Sequence, residues 1–184
     1  MADPLLSGTL STPRLHLRPW HDDDVEAVFA HAADPEWSRY LPVPMPYARG
    51  DAEAFIAVQR GLDPARHVSW AVTRDGVLVG GINIRIDPAN RLGELGYSVA
   101  RPAWGSGIAT ESVRAVLDAA FTALPWLDRV RAMADLRNLA SQRVMEKAGL
   151  RREGVLRHNR VVRGESIDEA WYGILRDEWL RRRD

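Results

Sequence analysis

The chain has 184 residues, the length of one domain spanning 1–184, and its 46% hydrophobic and 27% charged content excludes disorder. Its 25 basic and 25 acidic side chains cancel, so the basic excess expected of a nucleic-acid or acidic-membrane binder is missing. Cysteine is absent, which excludes disulfides, thiolate metal sites and a cysteine nucleophile and fits a cytoplasmic location.

In chain order, residues 1–6 lack the basic segment of a signal peptide, and no later apolar run approaches the ~18 residues of a membrane span. Residues 14–18 alternate polar and apolar, a strand pattern. His21-Asp22-Asp23-Asp24 opens a helix with Val25, Val28, Phe29 and Ala32 on one face, and Pro35 ends it. Pro42, Pro44 and Pro46 mark an irregular stretch holding Trp37, Tyr40 and Tyr47. A second helix covers 51–60 and closes at Gly61. Strands at 68–73 and 77–86 flank an Asp75-Gly76 hairpin turn, and 94–99 is a third strand. A long helix over 107–124 carries an apolar stripe through Val113, Val116, Leu117, Ala120, Phe121 and Leu124. Residues 130–133 form a strand, and Asn138 caps a helix ending at Gly149. Strands at 150–162 and 167–175 are joined at Arg163-Gly164. The order β-α-α-β-β-β-α-β-α-β-β predicts an α/β (α+β) fold, a mixed sheet with helices on its faces.

The chemistry concentrates between Tyr97 and Glu111, where a strand ends, a turn with Gly105 and Gly107 follows, and the long helix begins. Such a turn aims successive backbone N–H groups into one concavity, with the positive end of the helix behind them. Its natural guest is a phosphate or pyrophosphate. Three readings of the glycines compete: a permissive helix-start turn, a dinucleotide fingerprint, and a coenzyme A pyrophosphate site. The fingerprint needs Gly or Ala where Thr110 stands, and a leading βαβ unit. The Gly-Lys-Ser/Thr of a phosphate-loop NTPase is absent.

Trp104-Gly105-Ser106-Gly107-Ile108-Ala109 resembles the Arg/Gln-x-x-Gly-x-Gly/Ala motif of the GNAT acyltransferase superfamily. Trp104 replaces the usual Arg or Gln, as is common in the RimJ/RimL-like N-acetyltransferase branch. Leu10-Ser11-Thr12-Pro13-Arg14-Leu15, Gly93-Glu94-Leu95-Gly96-Tyr97 and Ala109-Thr110-Glu111 resemble that branch too. So do Asn138-Leu139-Ala140-Ser141 with Glu146-Lys147-Ala148-Gly149-Leu150, and Tyr172-Gly173-Ile174-Leu175-Arg176-Asp177-Glu178-Trp179. The resemblance spans nearly the whole chain in collinear order.

It implies a mixed, mostly antiparallel central sheet with helices on both faces, splayed at a cleft that receives acetyl-coenzyme A. The pantetheine arm would pair with backbone groups of Tyr97, Ser98 and Val99. Amides from Gly105 through Ser106, Gly107, Ile108, Ala109 and Thr110, in the loop begun by Trp104, would hold the pyrophosphate. Asn138 and Ser141 would reach the cofactor from the other lip, although Asn138 is equally well read as a helix cap. Arg143 and Lys147 lie one turn apart and are read as a solvated face that could meet nucleotide phosphates.

Without cysteine, the simplest reaction is direct attack of a primary amine on the thioester. Glu94, the one acid on the strand feeding the loop, is the candidate general base or else a structural carboxylate. Ser141 and Tyr172 are the candidates for helping the thiolate leave, with Tyr172 also read as a core aromatic. Asp168 is expected to be an ion-pair partner. His16, His21, His31, His67 and His158 lack metal-ligand spacing, and no metal is expected. Trp37, Tyr40 and Tyr47 either line the acceptor pocket or plug their loop onto the core. The expected function is acetyl-CoA-dependent N-acetylation of a protein N-terminal α-amine or a small amine. The alternatives are an aminoglycoside or polyamine acetyltransferase, a coenzyme A-binding module without turnover, and a nucleotide-binding domain. The branch is often dimeric, so a homodimer is compatible with the sequence.

Overall fold

The computed structural model describes residues 6–182. Eight strands form one sheet: β1 (Leu10–Ser11), β2 (His16–Arg18), β3 (His67–Arg74), β4 (Val77–Asp87), β5 (Leu92–Val99), β6 (Arg129–Asp135), β7 (Arg151–Val162) and β8 (Glu165–Leu175). Their spatial order is β1-β2-β3-β4-β5-β6-β8-β7. Every neighbouring pair is antiparallel except β5 and β6, which run parallel. The helices are α1 (Val25–Ala32), α2 (Pro35–Ser38), α3 (Arg49–Arg60), α4 (Ile108–Ala123), α5 (Leu139–Ala148) and α6 (Arg176–Leu180). Among the described residues no helix is long and apolar enough to cross a membrane.

Strand alternation explains why the sheet needs helices on both sides. Ile82, Ile84 and Ile86 of β4 and Leu95 of β5 bury one face against Val113, Val116, Leu117 and Phe121 of α4. The opposite face has a smaller core, in which Ala71 meets Val25 and Val28 of α1 and Ala52 and Ile56 of α3. The stripe expected on the long helix is therefore the main core seam. Asp75 and Gly76 both have positive φ (53° and 78°), as a tight hairpin between right-twisted strands requires.

The structure departs from expectation in four places. Pro35 does not only end a helix; it starts α2, where a proline at the first position lacks only an amide that would be orphaned anyway. Asp34 caps it, accepting the Glu36 N–H at 2.9 Å. The strand expected from residue 14 begins at His16, because Thr12 Oγ1 takes the Leu15 N–H at 2.9 Å in a local turn. β1 is only two residues long, too short to show alternation. α6 lacks the usual Ser/Thr start signal, but Glu178 reaches back to accept the Leu175 N–H at 3.1 Å.

Candidate active site

The pairing of β5 with β6 runs from Leu92 opposite Arg129 to Leu95 opposite Ala132 and stops there. Beyond it, β5 continues to Val99 against β4, and β6 continues to Asp135 against β8. The two strands part, and residues 96–99 present a free edge. The Ala100 N–H donates to Val79 O at 2.8 Å. Backbone direction alternates along a strand, so Ser98 addresses β4, while Tyr97 and Val99 address the gap. Trp104 Nε1 donates to Val99 O at 2.7 Å. With the β5–β6 ladder ending at Leu95, both backbone groups of Tyr97 and the N–H of Val99 face the gap without a ladder partner among the described residues.

At the end of that edge lies the glycine turn. Gly105 and Gly107 have φ of +71° and +83°, values that residues with a side chain rarely adopt. Gly107 is the cap of α4, and the first amide after it to bond within the protein is that of Glu111, to Gly107 O at 3.0 Å. None of the six amides from Gly105 to Thr110 donates to an acceptor among the described residues. The turn is braced from the N-terminal segment. Arg14 donates through Nη1 to Ser106 O at 3.0 Å and through Nε to Glu111 Oε2 at 2.7 Å. Thr12 Oγ1 donates to Glu111 Oε1 at 2.6 Å. Burial alone would raise the Glu111 carboxyl, but the Thr12 and Arg14 hydrogen bonds outweigh it and hold the group below its usual range.

The two faces of the sheet at the split carry different chemistry. On the α4–α5 face, the Tyr97 hydroxyl lies 2.9 Å from Ser141 Oγ and 3.0 Å from Ser141 O. Burial pushes the Tyr97 phenol up to about 12, so it is a protonated donor at neutral pH. Asn138 Oδ1 accepts the Ser141 N–H at 3.0 Å as the cap of α5. On the α1–α3 face, register partners across the sheet align His67, Arg85, Glu94 and Arg131 in one row. Glu94 Oε2 is held by Arg131 Nη2 at 2.8 Å and Nε at 3.0 Å, whereas Glu94 Oε1 has only Arg85 Nη1 at 3.7 Å. A cavity of about 390 Å³ opens over this row. Trp37 and Tyr47 line it, together with residues 94–98.

The sequence pattern of the acetyltransferase (GNAT) domain family matches residues 14–151. The chain belongs to the GNAT acetyltransferase family. It is 30% identical over 176 residues to the uncharacterized N-acetyltransferase p20 of Bacillus licheniformis, covering 93% of this chain and 98% of that protein. Among solved structures it resembles a GNAT-family acetyltransferase of Bacillus anthracis, with 28% identity and a TM-score of 0.82 over 92% of this chain and 99% of that one. It is also similar to Mycobacterium smegmatis RimJ in complex with CoA-disulfide, with 27% identity and a TM-score of 0.81 over 95% and 89% of the two chains.

Within this GNAT N-acetyltransferase, several expected site residues sit elsewhere than the sequence implied. Tyr172 is 1% exposed, and its hydroxyl donates to Glu146 Oε1 at 3.1 Å and Gln142 Oε1 at 3.4 Å, so it ties β8 to α5. Tyr40 is not part of the cavity wall; the Arg39 guanidinium lies 5.4 Å from its ring centre. The backbone of Ser98 faces β4, leaving that share of the edge to Tyr97 and Val99. Among the described residues Asp168 makes no ion pair; its Oδ1 accepts the His158 N–H at 2.8 Å where β7 bulges. Lys147 borders a cleft of about 660 Å³ that also includes Gly107 and Thr110, whereas Arg143 does not. The titratable cavity residues to which the sequence reading gave no site role are His31, His67, Arg85 and Arg160. The period-2 alternation of β3 and β4 could have aligned His67 and Arg85 with Glu94. The side chain of Tyr97, which crosses to α5, was likewise missed.

Asn138 can hold its cap and still offer Nδ2 outward. Asn138→Ala should cost about 1 kcal/mol of stability through the lost cap. Asn138→Asp keeps the cap oxygen but not the Nδ2 donor. We expect its melting temperature to match the unchanged protein while acetyl-CoA binding, read by calorimetry, weakens about tenfold (about 1.4 kcal/mol). Equal affinity would confine Asn138 to capping.

Proposed function

We propose that this chain, as one domain, transfers the acetyl group of acetyl-CoA to a primary amine, a protein N-terminal α-amine or a small amine, by direct attack in a ternary complex. The observation that carries the reading is the parted β5–β6 edge ending in six unpartnered amides. The residues fit the cofactor. The open backbone groups of Tyr97 and Val99 suit an added strand-like arm. The amides from Gly105 to Thr110, with the α4 dipole behind them, suit a pyrophosphate. Bound there, acetyl-CoA supplies the acetyl group as a thioester: the amine nitrogen forms the new C–N bond, the C–S bond breaks, one proton leaves the amine and one ends on the CoA thiol.

The chain's own groups divide that work by face. Glu94, on the acceptor side, offers Oε1 to the departing amine proton. It lies two residues along β5 from the split at Gly96, roughly 7 Å, so a water bridges the gap. Ser141, on the other side, offers its hydroxyl to the leaving sulfur. Tyr97 is a positioning residue that orients and polarises that hydroxyl.

The test is thiol release from acetyl-CoA across an amine panel, with Glu94→Gln alongside. An α-amine near ~7.7–8.0 is partly neutral at pH 7, whereas an ε-amine near ~10.4 is almost wholly protonated. We expect Glu94→Gln to slow the ε-amine about tenfold more than the α-amine at pH 7, with the gap narrowing as pH rises. An equal loss on both would remove the base assignment; no release with any amine would remove the function.

A further inference from the structure

We propose that the acceptor is a small zwitterion, an α-amino acid or a compound with the same amine-and-carboxylate head, carrying a large apolar side group. This rests on the acetyl-transfer reading above and concerns only the cavity on the α1–α3 face.

Charge is the first observation. The charged residues lining the cavity are Arg85, Glu94 and Arg160. Glu94 already gives Oε2 to Arg131, and Arg160 Nε is 3.0 Å from the buried Glu169. Arg85 is different. Among the described residues its guanidinium makes no hydrogen bond; its one ion contact there is the 3.7 Å approach to Glu94 Oε1, longer than a hydrogen bond. An unspent guanidinium fork at the cavity matches a carboxylate in two parallel hydrogen bonds. His31 and His67 also line the cavity, and burial pushes both imidazoles down, so neither adds charge at neutral pH. A polyamine or aminoglycoside would bring several ammonium groups to the Arg85 guanidinium and to carboxylates already paired, Glu94 with Arg131 and Glu169 with Arg160, which leaves no free negative charge to receive them. A zwitterion cancels both signs locally.

Shape is the second. The remaining walls are mostly apolar, with Trp20, Trp37, Leu41, Val43, Tyr47 and Phe55 prominent beside the polar Gln59, Ser69 and Asn83. Trp20 and Phe55 meet edge to face, with ring centres 5.2 Å apart. The volume of about 390 Å³ belongs with sites that enclose small molecules. Reach is the third. Arg85 pairs with Glu94, and Gly96 at the split is two residues further, roughly 7 Å. Arg85 and residues 96–98 line the same cavity, so a carboxylate held by Arg85 would leave the adjacent amine facing the split. The acetyl group then ends on the amino acid nitrogen as an amide, with the bond and proton changes given above.

The experiment compares L-phenylalanine, glycine, phenylalaninamide, phenethylamine, a peptide beginning with phenylalanine, and spermidine as acceptors. Thiol release is measured at saturating acetyl-CoA, and calorimetry follows phenylalanine binding to the CoA-saturated protein. We expect kcat/KM for phenylalanine to exceed that for its amide, for phenethylamine and for glycine at least tenfold. Arg85→Gln should weaken phenylalanine binding at least tenfold and bring the acid-to-amide ratio toward one; CoA affinity on the same sample reports folding. Equal or better turnover of the amide, the peptide or spermidine overturns the zwitterion and leaves acetyl transfer standing. So does an Arg85→Gln ratio that does not move. No CoA binding and no release with any amine overturns both.

Discussion

Gly107→Val should weaken acetyl-CoA binding at least tenfold while leaving the fold in place. Gly107 sits at φ +83°, where a side chain costs roughly 1–2 kcal/mol, and an added Cβ would lie 3.3 Å from Arg14 Nη2. The larger effect is on the ligand, because a side chain at Gly107 would stand at the cleft that Gly107, Thr110 and Lys147 line. Strain and obstruction are separable. Gly164, at φ +81° in the β7–β8 turn, has nothing within 4 Å of its added Cβ. Gly164→Ala should therefore lose comparable stability in thermal denaturation and bind acetyl-CoA normally. Gly107→Val should lose at least tenfold in affinity by calorimetry beyond any shared loss of stability. Unchanged affinity in the valine variant would mean that the amides serve no anion.

Tyr97→Phe slows turnover about tenfold with acetyl-CoA, and the defect fades with an acetyl thioester of a more acidic thiol. The phenol spans the split to touch both Ser141 oxygens, and burial keeps it protonated. If it polarises the serine toward the sulfur, its removal is felt only where the departing thiolate needs a proton partner. A merely structural tyrosine would slow both donors alike. The comparison is kcat for acetyl-CoA against kcat for the activated thioester, in both proteins. Ser141→Ala should show the same pattern, and the double variant should be no worse than Ser141→Ala.

Much of this was legible beforehand, for identifiable reasons. The α4 stripe and the two hairpin turns are periodic or local, so residues such as Val116 and Gly76 declare themselves. The glycine turn was visible because positive φ leaves a compositional trace. The place of Tyr172 was not, because a buried phenol bonded to Glu146 and one facing a cleft look identical in a strand pattern. Tyr97 was noticed for its backbone, yet its side chain acts across an interval of 44 residues. Arg85 and His67 acquire meaning only once β3, β4 and β5 are set in register beside Glu94. Two of the recognised segments, around Thr12-Pro13-Arg14 and Thr110-Glu111, turn out to be one hydrogen-bonded brace.

The single parallel pairing has a mechanical consequence. An amino-terminal block of antiparallel strands, β1 to β5, and a carboxy-terminal block, β6 to β8, share four registered residue pairs along a short seam. The width of the groove is then set where the two ladders part, by how both pack on α4 and not by hydrogen bonds inside either ladder. Side chains that stitch the blocks together, the Tyr97 phenol among them, act as set screws on its aperture, and natural variation there would retune which thioesters fit without disturbing either half.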